Sequence, residues 1–120
     1  MYKILVVEDY PDNMALIEEI LEDEGYQVLK AEDAEKGLKL LEDSQVDLVL
    51  MDISLPKMSG LEATRIIRET PGINELPVIA LTAHAMKSDK DEAMAAGCSG
   101  YLTKPLDEAL LLQTLMNFLN

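Results

Sequence analysis

Residues 3–25 read KILVVEDYPDNMALIEEILEDEG, and the spacing of the apolar residues changes partway along this stretch. Ile4–Val7 is a continuous apolar run that is too short for a helix, which is typical of a strand covered on both faces. From Pro11 the apolar residues recur at helical spacing, and Gly25 supplies a helix stop. The stretch therefore predicts a buried strand followed by an amphipathic helix.

The same alternation of strand and helix patterns continues to the end of the chain. The further strands are predicted at Gln27–Ala31, Asp47–Met51, Pro77–Leu81 and Gly100–Thr103. The further helices are predicted over Ala34–Leu41, over Leu61–Ile67, at Asp89–Ala96 and at Asp107–Leu119. Five strand-helix units joined by right-handed crossovers predict an α/β protein with a doubly wound parallel sheet. The second strand has the weakest pattern, and we expect it at an edge of the sheet.

Length and charge limit the classes of function. A chain of 120 residues fits one domain over residues 1–120, large enough to bury a core without disulfides. The formal net charge is −13, from 10 basic and 23 acidic residues. Because surfaces that bind nucleic acids are basic, this charge argues against direct contact with DNA or RNA.

Cysteine content and hydropathy indicate the compartment. Cys98 is the only cysteine, so no internal disulfide can form, and we expect it to be a small buried packing residue in a reducing compartment. No apolar run reaches the roughly 20 residues that span a bilayer, and no secretory signal precedes the first strand. We therefore expect a cytoplasmic protein without a membrane segment, and Met1 favours a free-standing chain over a piece of a larger one.

Side chains suited to phosphate chemistry follow several of the predicted strands. Glu8 and Asp9 follow the first strand, Asp52 the third, Thr82 the fourth and Lys104 the fifth. The carboxyl ends of parallel strands meet at one edge of a sheet, so these side chains should lie together, with Asp52 at an exposed strand end. Three neighbouring carboxylates repel one another unless a cation joins them, and Mg²⁺ is the natural cation for oxygen ligands.

The remaining members of this set complete a phosphoryl-transfer site. Lys104 offers a positive charge and Thr82 a hydroxyl donor, and both can hold phosphoryl oxygens. Asp52 offers a carboxylate nucleophile. In such sites, positioning and charge neutralisation supply most of the catalysis.

This pattern, over the whole chain, resembles the receiver domain of bacterial two-component response regulators, in its single-domain form. The resemblance rests on dispersed motifs in the same order, namely the acidic pair Glu8 and Asp9, the phosphoacceptor Asp52 with its loop to Gly60, the hydroxyl of Thr82 and the pair Lys104 and Pro105. It implies a flavodoxin-like receiver fold with strand order 2-1-3-4-5 and five helices.

The resemblance also implies a ligand set for Mg²⁺. Asp9, Asp52 and the backbone carbonyl of Ser54 would bind the ion, and Glu8 would hold a water molecule bound to it. The Lys104–Pro105 peptide bond would be cis, a form that proline permits at low energetic cost. Tyr10 departs from the small polar residue that this family often has after the acidic pair, so it could limit access to the site or orient Glu8.

Further roles implied by the resemblance concern switching and its rate. Thr82 and Tyr101 would couple phosphorylation to a change of packing, with the fourth helix, fifth strand and fifth helix as the output face. Ser54 and His84 would tune the rate of dephosphorylation, and metal ligation by His84 is the weaker reading. In the last helix, Leu112, Met116 and Leu119 widen the apolar arc, which fits a docking or dimer surface as well as burial.

The implied function is phosphorelay signalling. A sensor histidine kinase or a histidine phosphotransfer protein would donate the phosphoryl group, and the chain, a monomer or weak dimer, would change its affinity for a downstream protein. It would catalyse only its own phosphorylation and dephosphorylation. Three alternative functions compete with this one. An aspartate-nucleophile phosphatase would need a second acid where Ser54 stands, and a flavin electron carrier would need a phosphate-binding loop where Glu8 and Asp9 stand. The third alternative is a receiver that binds partners without phosphorylation.

Overall fold

The computed structural model describes residues 1–83 and 86–119. In these residues the strands are β1 (Lys3–Val7), β2 (Gln27–Ala31), β3 (Leu48–Asp52), β4 (Val78–Thr82) and β5 (Gly100–Thr103). The helices are α1 (Pro11–Asp23), α2 (Ala34–Asp43), α3 (Gly60–Glu69), α4 (Lys87–Ala95) and α5 (Glu108–Leu119). All strand pairs are parallel and the order is β2-β1-β3-β4-β5. The predicted fold class, strand order and edge position of β2 are therefore confirmed.

Two strands lie one residue further along the chain than predicted. The prediction began β3 at Asp47, but the Asp47 carboxylate instead accepts a hydrogen bond of 2.8 Å from the backbone N–H of Lys3, before the strand begins. Pro77, which has no N–H to donate, likewise precedes β4. As a result Asp52 and Thr82 are the last residues of their strands. The prediction also began α4 two residues late and ended it one residue late.

The sheet separates two apolar cores, because successive side chains of a strand point to opposite faces. One core joins side chains such as Val7 and Met51 to α2, α3 and α4, and it includes the buried Cys98, as predicted. The other joins side chains such as Val6 and Leu50 to α1 and α5. Every residue of β3 and β4 is buried. The side chains at the ends of these two strands are therefore held by a fully packed part of the sheet.

The apolar arc of α5 is divided between core and surface. Leu112 and Leu119 pack partly buried against the core beneath α1 and α5, whereas Met116 is 56% exposed and Leu110 is 53% exposed. The prediction of burial therefore holds for Leu112 and Leu119, whereas a docking or dimer role for the exposed Met116 stays a prediction. Among the described residues, none of the helices is long and apolar enough to cross a bilayer.

Candidate functional site

The carboxyl ends of four strands bring the predicted residues together at one edge of the sheet. Glu8 follows β1, Asp52 ends β3, Thr82 ends β4 and Lys104 follows β5. The parallel register places the end of β3 beside β4 and places Thr82 directly beside Thr103 on β5. The geometry therefore follows from the topology of the sheet.

Asp52 is buried, with 3% of its surface exposed, and each of its carboxylate oxygens accepts a hydrogen bond from a described residue. Oδ1 accepts a hydrogen bond of 2.9 Å from the backbone N–H of Ser54, and Oδ2 accepts one of 2.9 Å from Lys104 Nζ. The expectation of an exposed strand end is therefore wrong. The loop after Asp52 folds back beside it, because the Gly60 N–H donates to the carbonyl of Ile53 at 3.3 Å and Leu55 packs inward.

Gly60 allows the first turn of α3 to lie against the backbone of Asp52. A Cβ atom at position 60 would stand 2.2 Å from the Asp52 carbonyl oxygen and 2.9 Å from Ile53 Cα. Ser59 caps the same turn, since its hydroxyl accepts a hydrogen bond from the N–H of Glu62 at 3.2 Å. Helix α3 therefore fixes the position of Asp52 through main-chain contact.

Lys104 connects the two buried carboxylates. Its Nζ lies 2.8 Å from Glu8 Oε1 and 2.9 Å from Asp52 Oδ2. The second oxygen of Glu8, Oε2, accepts a hydrogen bond of 3.1 Å from the backbone N–H of Tyr10. Although Oε1 is in ionic contact with Lys104, no donor in the described part of the chain meets it in hydrogen-bond geometry.

The ionisation of the Glu8 and Lys104 pair reflects burial and charge. Burial raises the pKa of Glu8, and the nearby Asp52 adds to this, while Lys104 and the Tyr10 N–H act in the opposite direction. Burial lowers the pKa of Lys104, but its contacts with Glu8 and Asp52 outweigh this effect and leave that pKa above its ordinary value. Lys104 is therefore a firm positive charge at neutral pH.

The acidic cluster fits a divalent cation. Glu8, Asp9 and Asp52 each offer a carboxylate oxygen, and these oxygens lie within 4.8 Å of one another. Lys104 supplies a single positive charge to this set, so negative charge remains in excess. Hard oxygen donors, excess negative charge and the buried Oε1 of Glu8 without a hydrogen bond together suit Mg²⁺. Asp9 is exposed, so an ion held by this cluster would be accessible to water and to a phosphate ligand.

The remaining predicted residues near the site are Thr82, Pro105, Tyr10 and His84. Thr82 is buried, and its carbonyl accepts a hydrogen bond of 2.7 Å from the Lys104 N–H. The Lys104–Pro105 bond is cis. Tyr10 has 55% of its surface exposed, and only its backbone N–H meets Glu8, a contact that any residue except proline could make. The predicted role of His84 lies outside the described residues.

Tyr101 lies half-buried on β5, where its register neighbour on β4 is the small Ala80. The Nζ of Lys90, from α4, is 5.0 Å from the centre of the Tyr101 ring. The sequence carried no signal for this contact. Lys90 was one of several charged residues in a polar helix, and no spacing rule joins it to Tyr101.

A groove of about 350 Å³ runs from the acidic cluster along α1. Glu8 and Lys104 line part of it, and the rest is lined by the polar Asn13 and by four apolar residues, namely Leu16, Ile17, Pro105 and Leu106. Leu16 has 49% of its surface exposed. A partner surface seated in this groove would lie next to the carboxylates.

Comparison with known proteins gives consistent matches over nearly the whole chain. The model of the response regulator receiver domain family matches residues 4–116. The polar-differentiation response regulator DivK of Brucella anthropi is 35% identical over 116 residues, which are 97% of this chain and 94% of DivK.

Two solved structures are similar in fold and in sequence. One is the receiver domain of the sensor histidine kinase PA1611 from Pseudomonas aeruginosa PAO1, which has magnesium coordinated in its active site cleft. Its sequence is 37% identical to this chain, and the two structures match with a TM-score of 0.92 over 98% of this chain and 97% of that one. The other is the receiver domain of Ssk1 from Saccharomyces cerevisiae, crystallised with the histidine phosphotransfer protein Ypd1. Its sequence is 26% identical to this chain, and the two structures match with a TM-score of 0.91 over 98% of this chain and 88% of that one.

Proposed function

Because the chain belongs to the response regulator receiver domain family, we propose that it is a phosphorelay switch that accepts a phosphoryl group on Asp52 in an Mg²⁺-dependent reaction. The observation that carries this proposal is the Asp52 carboxylate, held by Lys104 and the Ser54 N–H within reach of two further carboxylates. Residues 1–120 would act as one receiver domain. It would catalyse only its own phosphorylation and dephosphorylation.

The proposed transfer moves the phosphoryl group from the histidine of a donor protein to an Asp52 oxygen. A phosphorus–oxygen bond forms as the phosphorus–nitrogen bond breaks, and the imidazole nitrogen keeps the electron pair of that bond. Lys104 and the hydroxyl of Thr82 hold the phosphoryl oxygens. Mg²⁺, when bound, neutralises charge between the carboxylates and the phosphoryl group. Its ligands would be Asp9, Asp52 and the backbone carbonyl of Ser54, and Glu8 would act through a water molecule.

The proposed partners are a phosphoryl donor and a downstream protein, both in the cytoplasm. The donor would be a sensor histidine kinase or a histidine phosphotransfer protein, a class represented by Ypd1 in the complex with the similar Ssk1 receiver. The downstream protein would bind the face formed by α4, β5 and α5. Water would later remove the phosphoryl group, at a rate tuned by Ser54 and His84.

The proposed switch couples Thr82 to Tyr101. The two side chains point to the same face of the sheet, because Tyr101 pairs with Ala80 and Thr82 lies two residues further along β4. Ala80 is small, so it leaves room for the ring to move toward Thr82. A phosphoryl group that draws the Thr82 hydroxyl to itself would favour this inward position of Tyr101.

The direct test is the intact mass of the chain after incubation with acetyl phosphate, with and without Mg²⁺. We expect a gain of one phosphoryl group that requires Mg²⁺. No gain under either condition would contradict the proposal and favour a module that binds its partners without phosphorylation.

Lys104→Ala should separate phosphorylation from switching. Asp52 keeps its nucleophilic carboxylate, so uptake from acetyl phosphate should continue, but no ammonium remains to hold the phosphoryl oxygens. Without Mg²⁺ the buried Glu8 and Asp52 also lose their cation, which should lower the free energy of unfolding by about 1–3 kcal/mol. NMR signals of Tyr101, recorded before and after phosphorylation, report the switch. Lys57→Ala serves as the control, and an unchanged Tyr101 response in the Lys104 variant would contradict the role given to Lys104.

Leu16→Glu should block transfer from a protein donor but not from acetyl phosphate. Leu16 is an exposed apolar side chain of the groove beside Lys104, and a charge there opposes the seating of an apolar partner surface. We expect transfer from a phosphorylated histidine phosphotransfer protein to fall by about tenfold or more. Ile66→Glu, an exposed apolar position on α3, is the matched control. Equal losses in both variants would show that the groove is not the docking site.

A further inference from the structure

The ammonium of Lys90 lies over the ring of Tyr101. The distance from Nζ to the ring centre is 5.0 Å, within the range of about 6 Å over which a cation is attracted to the face of an aromatic ring. Lys90 is exposed and Tyr101 is half-buried, so the lysine covers the ring from the solvent side. Any displacement of the ring further into the protein separates the two groups.

Helix α4 offers Lys90 no ionic partner at helical spacing. The residues three and four positions away are Met86, Lys87, Ala93 and Met94. In the described part of the chain, none of the ion pairs involves Lys90. The Tyr101 ring is therefore the attractive group that the described residues present to this ammonium.

The contact matters because α4 is weakly attached to the sheet. Ala93 is its one buried side chain among the described residues, whereas α3 buries Ala63, Thr64 and Ile67 together with Gly60. A helix with so little buried apolar surface can shift at small cost. The Lys90–Tyr101 contact thus joins α4 to β5 in addition to the packing of Ala93 on the core.

We propose that Lys90 is a positioning residue of the switch, whose ammonium holds the Tyr101 ring in the half-buried position seen here and must release it before the ring moves toward Thr82. This inference rests on the proposed function, since it assigns the regulation of the same site. Because coupling between two sites is reciprocal, a contact that favours the resting position of Tyr101 also weakens binding of a phosphoryl-like ligand at Asp52. Removal of the charge should strengthen that binding by about two- to fivefold.

Beryllium fluoride, a stable mimic of a phosphoryl group on a carboxylate, tests this in the presence of Mg²⁺. Its affinity would be measured for the natural chain and for Lys90→Met, Lys90→Arg and Lys87→Met. We expect Lys90→Met to bind about two- to fivefold more tightly and Lys90→Arg to match the natural chain. Loss of a positive charge by itself weakens the binding of an anion, and Lys87→Met measures that effect on the same helix.

A second measurement reports the contact itself. In the natural chain the ε-methylene protons of Lys90 should show an upfield ring-current shift, which Tyr101→Leu removes and which beryllium fluoride reduces. If the natural chain does not bind beryllium fluoride, the proposed function fails. If it binds, but Lys90→Met has the natural affinity or the Lys90 protons are unshifted, the role of Lys90 is overturned while the proposed function stands.

Discussion

Asp52→Asn should abolish phosphoryl uptake from acetyl phosphate and leave the chain folded. The asparagine side-chain oxygen can still accept the Ser54 N–H, but an amide is a poor nucleophile and carries no charge for Mg²⁺. Stability should change by no more than about 1 kcal/mol, because the substitution removes the repulsion between Asp52 and Glu8 while Lys104 still neutralises Glu8. Intact mass reports the uptake, and thermal unfolding followed by circular dichroism reports the fold.

A matched control comes from the opposite end of the same strand. Asp47 precedes β3, and its carboxylate also accepts a backbone N–H, that of Lys3, far from the acidic cluster. Asp47→Asn should therefore keep full uptake. If the Asp52 variant still gained a phosphoryl group, another carboxylate, such as Asp9, would be the acceptor and our assignment would be wrong.

Gly60→Ala should destabilise the chain more than any other single methyl addition described here. The new Cβ would stand 2.2 Å from the Asp52 carbonyl oxygen, and both neighbouring groups, at Asp52 and Ile53, are main chain in a buried region. Relief of this clash requires α3 to move away from β3. We expect the free energy of unfolding to fall by about 3 kcal/mol or more, measured by urea denaturation.

Gly100→Ala is the control for this prediction. The nearest atom to its added Cβ is Ile79 Cδ1 at 3.3 Å, the far end of a flexible side chain, and the Phe118 ring lies 3.6 Å away. Small adjustments of these side chains should limit the loss to about 1 kcal/mol. Similar losses in the two variants would mean that α3 adjusts freely over Asp52 and does not fix its position.

The order of the elements and the membership of the site could be predicted because both follow from local patterns. A short apolar run such as Ile4–Val7 differs in period from the helix that begins at Pro11. Once the strands are parallel, Asp52 and Lys104 must lie at the same edge of the sheet, whatever fills the loops. These inferences need only the spacing of residues along the chain.

Burial and long-range contacts could not be predicted in this way. Asp52 is buried because the loop before Gly60 folds back onto it, and no residue spacing encodes that path. Arg68 is similar, because it donates hydrogen bonds to the nearby carbonyls of Asn74 and Leu76 and also to the carbonyl of Gly97, 29 residues further along the chain. It thereby joins the loops that precede β4 and β5 to the end of α3. Such contacts depend on the assembled fold.

The central sheet acts as a partition between two separate surfaces. The groove beside Leu16 belongs to the side of the sheet covered by α1 and α5, whereas the Tyr101 ring packs with the core on the other side, beneath α2, α3 and α4. A protein seated on α1 therefore leaves the ring and its lysine uncovered. In the proposed relay, a donor seated on α1 would therefore leave the α4 and β5 part of the reading face accessible, whereas the α5 part lies on the donor's own side of the sheet.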